Sequence, residues 1–289
     1  MKKCAFLSMD SLEDYECYDH LLFEPFQKYG WSAEEISWRN RQANWDQYEA
    51  VIIRSPWDYQ QDPKAFFEVL KEIEASSALL ENKLELVEWN IDKTYLRDLE
   101  EQGITIVPSL WEERFDNGTY MDSFKRLSSD EIIVKPTISA GAEDTFRIPK
   151  DRADEYTGQL QSTFADRPYI VQPFMPDIIK EGEFSLFYFG DTYSHTVLKT
   201  PKKDDFRVQE EHGGVLKLVE AEPEMRQISR KILDLITPQP LYARIDLVRH
   251  ENGFALMELE LIEPSLYFNM DPQSPERFAK VFDEWMRNQ

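Results

Sequence analysis

Cysteine is nearly missing from this chain of 289 residues; Cys4 and Cys17 are the only two. They form no CxxC pair and are too few for a disulfide framework, so a disulfide-stapled scaffold is excluded and a reducing cytoplasm fits. No run of about 18 apolar residues occurs, which excludes a membrane-spanning helix. The short apolar stretch Cys4-Ala5-Phe6-Leu7 gives way to Asp10 and Glu13 with no cleavage pattern. It reads as a first strand rather than a signal peptide. Basic residues are scarce: 33 Lys and Arg stand against 55 Asp and Glu, a net charge of −22. Binding along a phosphate backbone needs a basic stripe, so nucleic-acid binding is excluded as a function class. The acid excess reads as a solubility device. It also means that any nucleotide site must overcome a repulsive global field with local lysines, arginines and metal ions. Histidine is limited to His20, His195, His212 and His250, without metal-ligand spacing. Neither a Walker A sequence nor GxGxxG is present, and no Ser-His-Asp or Cys-His arrangement stands out.

What is present is a globular composition, 42% hydrophobic, on a length suited to two or three subdomains. Residues 1–81 alternate strand and helix patterns, which implies a small parallel α/β unit. A helix is expected from Cys17 to Tyr29, a second strand at Ile36–Trp38, and a buried strand at Ala50–Arg54. Asp62-Pro63 opens a helix as N-cap and first residue, with Phe66, Leu70 and Ile73 as its stripe. Ligands sit at the carboxyl ends of such parallel strands, which puts Arg54, Ser55 and Trp57 at a site edge. Arg54 is a candidate to pair a carboxylate; Trp57 either joins it or packs a domain interface. Further helices are expected from Asn90 to Gly103, over Asp151–Phe164, Glu222–Ile236 and Ser274–Met286. Strands are expected at Ile104–Val107, Glu131–Pro136 and Tyr169–Phe174, and from Glu183 onward the pattern becomes antiparallel hairpins.

The hairpin Tyr242–Arg249 and Phe254–Leu261 carries the most chemistry. Side chains alternate faces along a strand. Ala243, Ile245 and Leu247 therefore share one face with Met257, Leu259 and Leu261. Arg244 and Asp246 share the other with Glu258 and Glu260. A three-residue loop with Gly253 left-handed would set Asp246 opposite Glu258 and Arg244 opposite Glu260. Three converging carboxylates repel unless a cation bridges them, and Mg²⁺ prefers such oxygen ligands. The alternative is a solvated strand face with Arg244 neutralising Glu260, and an even-length loop would favour it. Lys93 and Lys135 lie at element edges; each is either a solvated charge or a cation of a nucleotide cleft. The loop Ser139-Ala140-Gly141-Ala142 has backbone donors suited to phosphates. Gln172-Pro173-Phe174-Met175 with Glu183 is either a strand end or a strip for adenine and ribose.

The ordered set Arg54-Ser55-Pro56-Trp57-Asp58-Tyr59, Trp89-Asn90-Ile91-Asp92-Lys93, Val134-Lys135-Pro136, Gln172-Pro173-Phe174, Glu181-Gly182-Glu183, Ala243-Arg244-Ile245-Asp246 and Glu258-Leu259-Glu260 resembles the ATP-grasp superfamily. Within it the chain is similar to the prokaryotic glutathione synthetase branch, and to ligases of the O-ureidoserine cyclo-ligase type. The resemblance implies an α/β (α+β) ATP-grasp fold. It would have an N-terminal parallel α/β domain over residues 1–88 and an ATP-grasp domain over 89–289. The latter would combine a small lid subdomain at about 127–171 with a C-terminal antiparallel sheet. It implies ATP and Mg²⁺ as cofactors, and an ADP-forming ligase that activates a carboxylate as an acyl phosphate. By resemblance Lys93, Lys135, Ser139, Gly141, Gln172, Phe174, Met175 and Glu183 hold the nucleotide. Lys199 or Arg244 faces the transferring phosphoryl group, and Asp246, Glu258 and Glu260 bind Mg²⁺. Many relatives have asparagine where Glu260 stands. His212-Gly213-Gly214 would offer backbone donors near the reacting carboxylate. The expected partner is a small-molecule carboxylate, with no nucleic acid and no membrane, and homodimerisation is left open. The alternatives are a ligase acting on a peptide or protein end and a nucleotide-binding regulator without turnover.

Overall fold

The computed structural model of the protein describes residues 1–289 apart from 14, 140 and 204. The chain begins with Lys2–Ser8 (β1), Phe23–Lys28 (α1), Trp31–Ser37 (β2), Ala50–Ser55 (β3), Pro63–Glu74 (α2) and Leu79–Glu81 (β4). The strands make a parallel sheet of order β2-β1-β3-β4. All six residues of β3 are buried, as a parallel strand covered on both faces should be. At α2 the Asp62 side chain accepts from the Ala65 N–H at 3.0 Å, and Pro63 fills the first turn where its missing N–H has no cost. The helix expected from Cys17 is instead one 3₁₀ turn, Asp19–Leu22, followed by the short α1. Pro25 explains the late start: it cannot donate to the carbonyl four residues back and collides with it.

Leu84–Asn90 (α3) and Tyr95–Glu101 (α4) follow. Residues 91–94, expected to begin a helix, form the turn between them. There Asp92 Oδ1 accepts from the Thr94 N–H at 2.9 Å, a local bond that competes with helical pairing. Ile104–Val107 is not a strand; Ile106 makes one parallel bridge to Leu256. A small unit then comprises Leu110–Glu112 (β5), Asn117–Arg126 (α5), Glu131–Pro136 (β6), Phe146–Pro149 (β7), Ala153–Phe164 (α6) and Tyr169–Pro173 (β8). Its antiparallel sheet has the order β5-β8-β6-β7. Because Leu110 pairs with Val171, the unit starts ahead of the residue 127 expected for a lid. Tyr120, Phe124, Ile132, Val134 and Phe164 form its own core.

After Asp177–Lys180 (α7) come Glu183–Phe189 (β9), Thr192–Thr200 (β10), Val215–Val219 (β11), Pro223–Leu235 (α8), Tyr242–His250 (β12), Gly253–Glu260 (β13) and Ser274–Arg287 (α9). The sheet is antiparallel, in the order β11-β10-β9-β12-β13. α8 buries Met225, Ile232 and Leu233 on one face. α9 sets Phe282 against Phe26 and Trp31, with ring centroids 4.9 and 4.8 Å apart. Burying such a side chain contributes about 1.5–3 kcal/mol, so α9 fastens the N-terminal sheet to the large one. No helix among the described residues is long and apolar enough to cross a membrane.

The β12–β13 hairpin reaches the expected register by an unexpected route. Its loop is the two residues Glu251-Asn252, flanked by the pair His250 and Gly253, and the left-handed residue is Glu251 (φ 52°), not Gly253. That even loop alone would set Asp246 opposite Met257. A bulge leaves Met257 unpaired, and beyond it Asp246 faces Glu258 and Arg244 faces Glu260. One extra residue reverses which side chains point where. Met257, expected on the core face with Leu259 and Leu261, accordingly lines the cleft described next.

Candidate active site

A cleft of about 640 Å³ takes walls from all three sheets: Trp57 follows β3, Lys135 ends β6 and Glu258 lies on β13. Asp246, Glu258 and Glu260 each bring an oxygen within 4.8 Å of the others. Asp246 is the buried member. It accepts from Arg244 Nη2 at 2.9 Å, Lys199 Nζ at 3.3 Å and Ser185 Oγ at 2.5 Å. Arg244 also bonds Glu260. Burial acts to raise the pKa of Asp246, but Arg244 and Lys199 outweigh it and hold the carboxyl below its usual range. Glu258 is also lowered: burial opposes, while Lys93 and Lys135 prevail. Glu260 differs. Burial, followed by the charges of Glu258 and Asp246, pushes it up to about 8 against the pull of Arg244. Glu260 is thus the carboxyl that the protein's own cations compensate least. That is the environment in which a divalent cation displaces a proton, and the donor set, three hard carboxylate oxygens, fits Mg²⁺.

The cations ring this patch. Lys93 Nζ stands 3.1 Å from Glu258 and donates to the Ser139 carbonyl at 2.7 Å. Lys199 bridges Glu183 at 2.5 Å and Asp246 at 3.3 Å. Burial works to lower the Lys199 pKa, and the two carboxylates more than offset it. Lys135 is different, for it makes no ion pair within 4.0 Å among the described residues. Burial, partly countered by Glu258 and reinforced by Lys93, lowers its pKa. A partly desolvated ammonium facing a cleft is a ready site for phosphate oxygens.

On the small-sheet side, Gln172 Nε2 donates to Ser109 Oγ at 2.9 Å, and Arg147 lies 3.7 Å over the Phe174 ring. Met175 packs with Val107, Val248 and Ala255. The Phe174 N–H is engaged by the Glu131 carbonyl at 2.9 Å, so it is not a free donor in this strip. Glu183 is buried and its pKa is raised, by burial first, with Lys199 opposing. Gly182 precedes it at φ 118°, where a Cβ would stand 2.7 Å from Leu198 Cδ1 and from the Lys199 carbonyl. Only glycine lets β9 begin this close to β10. In the loop over the cleft, the Gly141 carbonyl meets His212 Nε2 at 3.3 Å; Ala140 lies outside the described residues. Gly214 is packed against the Val208 carbonyl with no room for a side chain.

Two expected substrate contacts are corrected. Arg54 is 1% exposed and does not line the cleft. Its Nε and Nη2 donate to Asp19 Oδ1 at 3.1 and 3.0 Å, and Nη2 also donates to the Pro264 carbonyl at 3.3 Å. Ser55 is fully buried. The strand end does point toward the site, but Asp19, which no sequence spacing connects with Arg54, claims the guanidinium. Trp57 does line the cleft, with Nε1 donating to the Glu263 carbonyl at 2.9 Å. Sequence reasoning missed Tyr59, Arg207, Glu263 and Tyr267 as site residues, all of which line the same cleft. Burial pushes Glu263 up to about 7. Its closeness to Glu258 and Glu260 in sequence was the one available signal; Tyr59 opens a single 3₁₀ turn, and Arg207 and Tyr267 sit in loops without periodicity.

Three sheets around a cleft with lysines on one wall and a carboxylate hairpin on the other define an ATP-grasp enzyme. Residues 116–270, more than half of the chain, match the family profile of the prokaryotic glutathione synthetase ATP-grasp domain, and the chain belongs to that family. It is therefore an enzyme of ATP-dependent ligation. Residues 4–82 match the N-terminal domain of the D-cycloserine synthetase DcsG. The cycloserine biosynthesis protein DcsG of Streptomyces lavendulae is 27% identical over 283 residues, covering 92% of this chain and 93% of that protein. The crystal structure of D-cycloserine synthetase DcsG matches with a TM-score of 0.85 and 25% identity, over 98% of this chain and 99% of that one. The ATP-grasp ligase PsnB, solved with a minimal precursor, Mg and ADP, shares the fold at a TM-score of 0.68 and 13% identity, over 99% and 98% of the two chains.

Proposed function

We propose that this enzyme activates a small-molecule carboxylate as an acyl phosphate, releasing ADP, for attack by an amine or similar nucleophile. One observation carries the reading: the Asp246, Glu258 and Glu260 oxygens gather within 4.8 Å in a cleft that also exposes Lys93 and Lys135. Asp246, Glu258 and Glu260 would hold Mg²⁺, which when bound neutralises charge on phosphate oxygens. A solved relative in fold carries Mg and ADP. Lys135 and Lys93 bind ATP phosphates, with backbone groups of Ser139 and Gly141 above them. Gln172, Phe174 and Met175 bound the adenine, and Glu183 takes the ribose. Arg244 and Lys199, each shared between two carboxylates, face the phosphoryl group in transfer. The chain then works by positioning: the substrate carboxylate is held in line with the γ-phosphorus, the ADP oxygen leaves, and water is kept out.

The acceptor end, with Trp57, Glu263 and Tyr267, takes the place of the corrected Arg54 and Ser55. The similarity to the cycloserine biosynthesis protein DcsG over 92% of this chain favours a small carboxylate over a peptide end. The intact set of carboxylates and lysines speaks against a regulator without turnover. We place the domain boundary at residue 88, and the two free cysteines support a cytoplasmic setting. Calorimetry tests the nucleotide part: ADP should bind more tightly with Mg²⁺ than without, and no binding with Mg²⁺ present would sink the reading. A screen of carboxylic acids for ADP release then finds the substrate class.

A further inference from the structure

β13, which carries Glu258 and Glu260, is the edge strand of the large sheet. An edge strand leaves one row of N–H and C=O groups without a partner strand. Here that row is occupied from Leu256 to Leu261. At Leu256 the chain at Thr105 and Val107 supplies both bonds, at 2.9 and 3.0 Å. At Leu259 the N–H donates to Tyr95 Oη at 2.9 Å, and the carbonyl accepts from Asn90 Nδ2 at 2.9 Å. At Leu261 the N–H donates to Asn90 Oδ1 at 2.9 Å, and the carbonyl accepts from Asn82 Nδ2 at 2.7 Å. The Asn90 carboxamide therefore stands where a peptide unit of a sixth strand would be, one bond on each side of Glu260. Asn90 is 6% exposed and Tyr95 is 2% exposed, so water does not compete for these bonds.

We propose that Asn90 and Tyr95 are positioning residues for the bound cation: they fix the backbone on either side of Glu258 and Glu260 and thereby set the spacing of the carboxylates. The clamp is needed because of the bulge at Met257. A bulge interrupts the ladder and lets a strand bend, and it lies immediately before Glu258. Without the clamp, residues 258–261 would be held from the β12 side alone, next to that irregularity. The same short segment also supplies Lys93 to Glu258 at 3.1 Å, so backbone clamp and charge partner move as one piece. The inference rests on the reading of the hairpin as the Mg²⁺ site.

The test is the Mg²⁺ dependence of ADP binding by calorimetry in the wild type, Tyr95→Phe and Asn90→Asp. Tyr95→Phe removes one oxygen and keeps the ring. Asn90→Asp keeps the shape and the acceptor for the Leu261 N–H but loses the donor to the Leu259 carbonyl. Groups that orient metal ligands from outside typically change metal affinity by roughly 10–100-fold. The Mg²⁺ midpoint should therefore rise about 10-fold in Tyr95→Phe, which adds no charge, while its ADP binding without metal stays within about 2-fold of wild type; Asn90→Asp, which also brings a carboxyl to the cleft, should shift the midpoint too. A merely structural role would instead lower the melting temperature and leave the midpoint where it was. A folded Tyr95→Phe with an unchanged midpoint overturns the inference even if Asn90→Asp fails to fold. A wild type whose ADP binding ignores Mg²⁺ overturns the functional reading and this inference with it.

Discussion

Replacing two of the three carboxylates proposed to hold Mg²⁺, one at a time, should lower activity alike but stability unequally. The Asp246 side chain is 2% exposed and accepts from Arg244, Lys199 and Ser185. Asp246→Asn keeps the shape and removes the charge, leaving two buried cations each short of one partner. Breaking a buried ion pair costs about 3–5 kcal/mol. Arg244 retains Glu260 and Lys199 retains Glu183, so the loss should fall near the lower end, about 3 kcal/mol. The Glu258 side chain is 28% exposed, and Lys93 is its one ion-pair partner among the described residues. Lys93 keeps its bond to the Ser139 carbonyl, so Glu258→Gln should cost about 1 kcal/mol or less. Urea unfolding near neutral pH, without metal or nucleotide, reads both numbers. Turnover should fall in both by more than the roughly 10–100-fold seen when an outer partner of a metal ligand is lost. An Asp246→Asn protein as stable as wild type would refute the ion-pair account. A Glu258→Gln protein with wild-type turnover at limiting Mg²⁺ would refute the metal site.

Further outcomes follow from the same geometry. Glu81 is 1% exposed, has one oxygen on Trp285 Nε1 and the other without a partner, and burial pushes it up to about 7 from 4.5. Between those values the folded state holds a proton that the unfolded state has lost, so its contribution is complete below about 4.5 and is lost as pH rises through 7. That interval is worth up to about 3 kcal/mol. Glu81→Gln should therefore gain up to that amount at pH 8 and little at pH 4 by urea unfolding, and identical pH profiles for the two proteins would contradict this. Arg54→Met should cost about 3–5 kcal/mol by stranding buried Asp19, and adding Asp19→Leu should recover most of it; a single-variant loss below about 1 kcal/mol in urea would contradict the pairing. Gly182→Ala should lower the melting temperature and weaken ADP binding, because its Cβ has nowhere to go and the start of β9 must shift with Glu183; a variant with wild-type values in both assays would show that β9 can shift without consequence.

Much of this was legible in the sequence where local chemistry decides. Asp62-Pro63 fixed a helix start, alternation fixed the faces of Arg244, Asp246, Glu258 and Glu260, and the order of motifs announced the ATP-grasp fold. The misses at the site share one cause, long-range partners. Arg54 has the right place for a substrate contact, yet Asp19, from a 3₁₀ turn 35 residues earlier, takes its guanidinium. The Met257 bulge has no glycine to mark it, and two departures from expectation, an even loop and an extra residue, cancel to restore the register. α5 escaped notice because Asn117 and Gly118 open it and its buried face is only Tyr120, Ser123 and Phe124. β11 was missed because it is a largely exposed edge strand. Asn90 was quoted as part of a motif, but nothing near it in sequence indicates that its amide bonds Leu259 and Leu261.

The central claim is that ATP is spent by phosphoryl transfer to a carboxylate in the cleft between Lys135 and the β12–β13 hairpin. An acyl phosphate reacts with a small strong nucleophile, so the most direct measurement supplies ATP, Mg²⁺, the carboxylate found by screening and hydroxylamine, and follows every product. The account predicts a hydroxamate with ADP and phosphate in equal amounts, lost in Glu258→Gln. Release of AMP and pyrophosphate would mean transfer of the adenylyl group instead, and would contradict it.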